Sequence, residues 1–451
     1  MVKITQNVEA AYEEETGGYG NPPDSTLLHI GLLDTFDPRS VEMNITPVPS
    51  LGQSTDAFHA RGPIAVTVPL KVACQGTGWQ KLLGHSIGKT DVYGSVDAPH
   101  SLTTSADSIA LLAREGTDYT LVTGVVPNEV TLTADYTTGG YMTCEATCTG
   151  FYSQDATEAN ANFSNDGKLL IDDYSGIAFP AAPSADPLLP TDLTVSYAAT
   201  TDADGLQINR TAGHYVEIGE RYMRIYDANG AVDTGYDGDG PDDAAIVSDG
   251  VIDLDHANTE TITELVAVLN AGVTSSATAN AGSSNPQNLL KGIYRMTGSN
   301  VDIPVALDTS SPQDTTLTSL TNLKTATLKI TNNNTAIPGK VTRGAAAPNE
   351  VTEWIQNKAI SRGKADITLD LTMTAEDETL YDKYVAGTTI PLFRLDFGTS
   401  GSIALTNGTI TAFSRPLTPG GEIVDTLSIK FRGSGNMKNF SSFAISADWA
   451  L

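Results

Sequence analysis

Cysteine is nearly absent. The 451-residue chain holds three, Cys74, Cys144 and Cys148, which excludes a disulfide framework. Cys144 and Cys148 fall four apart in an alternating stretch, so as strand residues they share one face about 13 Å apart. That is beyond the reach of a bridge, and both read as small core residues. Basic residues are scarce too: 26 Lys and Arg stand against 54 Asp and Glu, a net charge of −28. Such a surplus repels phosphate and argues against tight nucleic-acid binding through a basic patch. With 36 Asp, 18 Glu, 14 Lys and 12 Arg, the balance is that expected of adaptation to high salt. Molar salt shortens the Debye length to about 3 Å, so a dense carboxylate surface no longer repels itself strongly.

Long apolar runs are missing. The opening stretch, MVKITQNVEAAYEEE, has no apolar signal region, and no run of about 18 apolar residues occurs. The expectation is a chain that stays in the cytoplasm or leaves it without a signal peptide, and that enters no membrane. Signatures of catalysis are missing as well. His29, His59, His85, His100, His214 and His256 are scattered, with no HExxH, GxSxG, P-loop or GxGxxG. The DLDH run from Asp253 could ligate a metal, but before a predicted helix it reads as capping and solvation. Neither an enzyme nor a cofactor is expected.

What is present is turn chemistry and alternation. With 41 Gly and 22 Pro the chain reads as mainly β, and its length implies two or three domains. Three landmarks recur in order. Val41, Met43 and Ile45 alternate after Arg39, as Ala326, Leu328 and Ile330 do after Lys324. Arg61-Gly62 leads into Val66, Val68, Leu70 and Val72; Arg362-Gly363 leads into Ile367, Leu369, Leu371 and Met373. Gly139-Gly140 precedes Met142, Cys144, Ala146 and Cys148; Gly420-Gly421 precedes Ile423, Asp425, Leu427 and Ile429. Each set has the period of a half-buried strand. The offsets are 326−41=285, 362−61=301 and 420−139=281. A short helix follows the second landmark in both halves, marked by Trp79, Leu82 and Leu83 and by Leu380, Tyr384 and Val385. Thr374 and the acids after it form a good helix start. Three ordered matches predict a duplication, with Asp425 standing where the first half has Cys144.

The middle has no counterpart. A Pro-rich stretch from Ala178 and a polar stretch from Ser275 read as linkers around a small inserted α+β or β domain. Its helix, from Thr259, shows Ile262, Leu265, Val266 and Leu269 on one face. Residues 201–260 hold 14 acids and 3 bases. Asp202, Asp204, Asp237 and Asp239 are weak candidates for a hard cation such as calcium. Neither run completes an EF-hand loop, and Asp-Gly turns are ordinary loop chemistry.

The repeated unit resembles the tail-tube (major tail) proteins of long-tailed phages and haloarchaeal tailed viruses. The resemblance lies in TATLKITNNN, in the strand–helix–strand run from Gly363 to Phe397, and in the closing hairpins from Tyr119 and Gly408. It covers residues 25–152 and 310–433. It implies two tandem tube-like β-sandwich or barrel domains, each with a short flanking helix. They are framed by an N-terminal arm (1–24), the insert (153–309, core 190–275) and a C-terminal tail (434–451). In that family six tube domains close a ring, and rings stack through a long loop. The segment from Thr335 to Ile360 occupies that loop's position, so Val351, Trp354 and Ile355 are candidate inter-ring contacts, unless the loop folds onto its own domain. Implied partners are further copies of the chain, as three-chain rings with pseudo-sixfold symmetry or as six-chain rings. Other tail proteins, a tape-measure protein and viral DNA held without tight binding complete the set. The implied location is the virion tail, assembled in the host cytoplasm. The alternatives are a tail-tip or capsid-decoration protein, or a cell-surface β-repeat protein.

Overall fold

Val66, Val68, Leu70 and Val72 are buried while Thr67 between them is exposed, so the alternation does form a half-buried strand. In the computed structural model the described residues are 8–15, 27–37, 41–49, 56–76, 78–87, 108–115, 118–150, 152–155, 179–198, 200–219, 222–229, 231, 233, 243–271, 276–296, 298–307, 317–342, 353–361, 366–375, 378–417, 421–431 and 443–445. The protein is mainly β, as predicted.

The first part runs through β1 (Val8–Glu14), β2 (Leu28–His29), β3 (Leu33–Phe36), β4 (Val41–Pro49), β5 (Asp56–Ala73) and helix α1 (Gly78–Ile87). It continues through β6 (Ile109–Glu115), β7 (Asp118–Asp135), β8 (Thr143–Gly150) and β9 (Tyr152–Asp155). The middle holds β10 (Thr194–Tyr197), β11 (Thr200–Asn209), β12 (Tyr215–Ile218), β13 (Tyr222–Tyr226), β14 (Ile246–Ser248) and β15 (Val251–Asp253). After these come α2 (Ile262–Ala271), β16 (Ser276–Ala279), β17 (Gly292–Arg295) and β18 (Val301–Leu307). The last part has β19 (Thr318–Ser319), β20 (Leu323–Thr331), β21 (Thr335–Thr342), β22 (Glu353–Ser361) and β23 (Asp366–Thr374). It ends with α3 (Thr379–Ala386), β24 (Ile390–Asp396), β25 (Ser402–Ser414), β26 (Val424–Phe431) and β27 (Phe443–Ile445).

Both halves follow one pairing order. In the first, β3 pairs β5, β5 pairs β8, β8 pairs β7, and β7 pairs β6 and β9. In the second, β20 pairs β23, β23 pairs β26, β26 pairs β25, and β25 pairs β24 and β27. Helix α1 joins β5 to β6 and α3 joins β23 to β24. Irregularities recur at matching places. The register slips at Asp34 and at Lys324, and again at Asn128 and at Thr411. A bulge re-aims a strand and increases its twist, so matched bulges give the two halves matched curvature.

The pairings correct one expected correspondence. Leu70 opposes Phe36 and Leu371 opposes Ala326, so by register Ala326 answers to Phe36, not to Val41. The other two landmarks sit at corresponding positions: Val72 opposes Cys144, and Met373 opposes Asp425.

The halves are not separated by a boundary. β7 and β20 pair antiparallel from Asp135↔Thr325 to Glu129↔Thr331, making one continuous sheet. One hydrophobic core runs through both, from Val68, Leu132 and Cys144 to Leu328, Leu369 and Ile429. Trp79 of α1 lies edge-on to Phe397, ring centroids 5.4 Å apart. Truncating a buried leucine at this seam, such as Leu132 or Leu328, removes about 2–5 kcal/mol.

The middle builds a second core. The sheet β16–β11–β18, the sheet β14–β15–β13–β12–β17 and α2 enclose Leu206, Ile225, Ile252 and Leu269. Helix α2 opens on a capping box: the Glu264 N–H donates to Thr261 Oγ1 at 3.3 Å, and the Thr261 N–H donates to Glu264 Oε2 at 2.9 Å. Its buried residues are Ile262, Leu265, Val268 and Leu269, with Val266 partly buried. Within the stretch expected for the insert, β10 behaves differently. It pairs β24 and β19, and Leu193, Val195 and Tyr197 join the large core. A four-residue strand is too short to announce itself by periodicity, and it was captured by an open sheet edge.

Candidate functional surfaces

The large sheet buries one face and leaves the other open. The open face is built from hydroxyls: Thr131 and Thr133 on β7, Thr325 and Thr327 on β20, Thr368 and Thr372 on β23 are all half-buried. One row crosses seven strands through Lys71, Glu145, Thr131, Lys329, Thr368, Lys430 and Thr409. Each lysine in that row meets a carboxylate: Lys71 with Asp34 at 2.9 Å, Lys329 with Glu129 at 2.8 Å and Lys430 with Asp366 at 3.1 Å. The Asp34 contact raises the Lys71 pKa. Asp135, Glu145 and Asp370 add further negative charge. The face therefore presents hydroxyls and matched charges to solvent, and no lysine in this row stands without an acid to bind phosphate.

The seam covers the first helix. Trp79, Gln80, Leu82, Leu83 and Ser86 of α1 are buried. Gln80 Nε2 donates to the Ser400 carbonyl at 3.2 Å, and Asn332 Nδ2 donates to Ser86 Oγ at 3.4 Å, both from the second half. Helix α3 occupies the matching place and, among the described residues, is not covered in this way. Leu380 is buried, but Tyr381, Tyr384 and Val385 are exposed, Val385 by 65%. Tyr384 stacks on Phe413 of β25 at 5.9 Å, and the Arg415 guanidinium lies 5.6 Å from the same ring. Gly387, at φ 63°, ends the helix in the left-handed region.

Among the described residues two strand flanks are open. Residues 409–414 of β25 pair β26 on one side, and among the described residues no strand pairs the other. β3 pairs β5 alone. These edges and the α3 aromatics carried only a weak signal in the sequence. Tyr384 and Val385 were legible as a helix face, but not their exposure in the fold.

The segment expected as a long loop is a hairpin. β21 and β22 pair from Thr335↔Ser361 to Thr342↔Glu353. Trp354 and Ile355 lie in β22, opposite Val341 and Lys340, while Val351 lies outside the described residues. The hairpin reaches the first half, where Gln356 makes a parallel pairing with Ile64 of β5. Pro338 is accommodated at a register slip, the place where a strand tolerates proline.

Of the acidic candidates, only the backbone of two is described. Asp202 and Asp204 lie in β11, where Asp202 opposes Val305, and Asp237 and Asp239 lie outside the described residues. Among the described residues no three His, Cys, Asp or Glu side chains gather to hold a metal. Asp253 and His256 serve their turn: Asp253 Oδ1 accepts the Asp255 N–H at 2.9 Å, and His256 Nδ1 accepts the Asn258 N–H at 3.1 Å. Among the described residues no helix is long and apolar enough to cross a membrane. Cys74, Cys144 and Cys148 are free and buried, and burial pushes their pKa values up, Cys148 to about 12.

No protein-family description and no curated protein matches the sequence. Among solved structures, the chain is similar to one in the tail of an empty gene transfer agent particle, refined helically with C6 symmetry. The identity is 13% and the TM-score 0.19, over 29% of this chain and 86% of that one. It is similar in the same degree to a chain of the native gene transfer agent virion, with 13% identity and TM-score 0.19 over 29% of this chain and 88% of that one.

Proposed function

We propose that this protein is a non-enzymatic structural component of a phage-like tail, and more finely that it polymerises into the tail tube. The observation that carries the reading is the seam. Two halves with the same strand order and bulges are already joined edge to edge, as neighbouring subunits of a ring would be. We read this as a duplicated tube domain, one unit in each half. If a ring takes six such units, three chains close it with pseudo-sixfold symmetry.

The threonine face then lines the bore. DNA passes most freely along a wall that offers hydroxyls and neutralised lysines, because unmatched bases would hold phosphate through counterion release. A tape-measure protein would occupy the same bore during assembly in the host, and other tail proteins would meet the ends of the tube. The hairpins β4–β5 and β21–β22 are the elements available for stacking rings, and Trp354, Ile355 and Val351 belong to the second of them. The middle module, with its own core, projects from the outside of the wall.

Negative-stain microscopy of the purified protein tests this reading. Stacked rings with an open bore are expected, and Trp354→Ala should give rings that stack poorly. Globular monomers at all concentrations and salt conditions would refute the tube.

A further inference from the structure

We infer that the open flank of β25, with the aromatic face of α3, receives the β3 edge of a second copy of this chain. The contact is argued from the intrachain seam, and it rests on the tail reading only for the number of copies that close a ring.

Inside the chain the seam has two parts. β7 receives β20 antiparallel, and α1 beside it is sealed by the second half. By pairing order β25 is the counterpart of β7, and β3 the counterpart of β20. Both counterparts stand at open edges among the described residues, and α3, the counterpart of α1, exposes Tyr381, Tyr384 and Val385. A free strand edge beside exposed aromatics is a template for pairing that monomeric proteins block with charge or cover. Here one chain carries both complementary edges in the same antiparallel sense. The partner that fits is therefore the chain itself, in a head-to-tail contact.

The matched bulges set the register. β3 maps to β20 with an offset of 326−36=290, from Phe36↔Leu70 and Ala326↔Leu371. β7 maps to β25 with an offset of 413−130=283, from Val130↔Ala146 and Phe413↔Leu427. Transferring the seam pair Ala326↔Ala134 gives Phe36 (326−290) opposite Leu417 (134+283) of the neighbouring copy. Val41 opposes Val66 as Ile330 opposes Ile367, so transferring Ile330↔Val130 gives Val41 opposite Phe413. Leu417 is 75% exposed, the largest exposure among the big apolar side chains described, and the contact would cover it.

Directly opposed residues of an antiparallel pair have Cα atoms about 4.5–5.5 Å apart, within reach of a disulfide. The test is the full-length double variant Phe36→Cys/Leu417→Cys under mild oxidation, read on a non-reducing gel. The buried native thiols do not compete. Covalent dimers and larger species are expected from the matched pair. Each single variant and the mismatched pair Phe36→Cys/Tyr141→Cys should stay monomeric. Monomer alone from the matched pair, or equal linkage from the mismatched one, overturns the contact.

Tyr381→Asp/Tyr384→Asp gives a second readout, because both side chains are exposed. Self-association should weaken at least about tenfold by sedimentation, with an unchanged thermal melt. Association at wild-type strength counts against the surface. Linked rings that never stack would leave this contact standing and refute the tube. Tubes in which the matched pair fails to link would do the reverse.

Discussion

Arg415 clasps Asp425 from two nitrogens: Nε donates to Oδ1 at 2.6 Å and Nη2 to Oδ2 at 2.8 Å. In the first half the corresponding neighbours are Leu132 and Cys144, both buried and apolar. One half thus solves by packing what the other solves by charge. Asp425 is buried, while Arg415 also reaches Glu378, and these two carboxylates raise the arginine's pKa.

Removing the half-buried Arg415 strands the buried Asp425 carboxylate. Arg415→Ala should cost about 3 kcal/mol in chemical denaturation. The double change Arg415→Leu/Asp425→Cys, which copies the first half's pair, should fall within about 1 kcal/mol of the native protein. A double variant as weak as the single one would show that the pair has a role beyond local packing.

The middle module should be removable. Thr200 and Leu307 are directly opposed in β11 and β18, so the chain enters and leaves the module at adjacent points. Replacing residues 200–307 by a short turn should leave the large core intact, read as a retained cooperative melt. Extending the deletion through β10 takes Val195 and Tyr197 out of that core and should abolish the transition. Equal behaviour of the two deletions would show that β10 contributes nothing to the sheet.

Much of this was legible in the residues. Strict alternation in Val66–Val72, Ile367–Met373 and Met142–Cys148 marked the strands, and the Gly139-Gly140 pair marked the turn before β8. The spacing of Ile262, Leu265, Val266 and Leu269 marked α2, while its capping box at Thr261 and Glu264 emerged only from the structure. What failed has physical causes. Period two fixes which side chains share a face but not which strand they meet, so Val41–Ile45 was matched to Ala326–Ile330 when the counterpart of Ala326 is Phe36. β3 is four residues long with a bulge at Asp34, too short to stand out. The hairpin β21–β22 was missed because the resemblance placed a long loop over Thr335 to Ile360. The candidate docking surface was invisible for a different reason: exposure of Tyr381 and Leu417 is a property of the assembled sheet, not of any local pattern.

His29 predicts an acid response. Its Nδ1 accepts the Gly31 N–H at 3.0 Å, and desolvation lowers its pKa below the usual value, outweighing the pull of Glu9. A histidine with a depressed folded pKa adds stability above its unfolded value, near 6.5, that is lost as pH falls through the folded one. The melting temperature should therefore drop as pH is lowered from 7 toward 5, and drop less in His29→Gln. An identical slope in the variant would assign the acid response elsewhere.

Salt should stabilise. Repulsion among the 54 acids is long-ranged, and raising KCl to molar concentration screens it. The melting temperature is expected to rise between 0.1 M and 2 M KCl. A flat profile would contradict adaptation to high salt.

If one chain supplies two neighbouring units of a ring, joined by the β7–β20 seam, the assembled protein has threefold symmetry. Cryo-electron microscopy of the assembled protein measures this directly. Threefold rings of three chains are expected, with six sheet units around a threonine-lined bore and seams alternating between β7–β20 and β25–β3. Rings of six chains, with one half of each chain outside the wall, would contradict that arrangement.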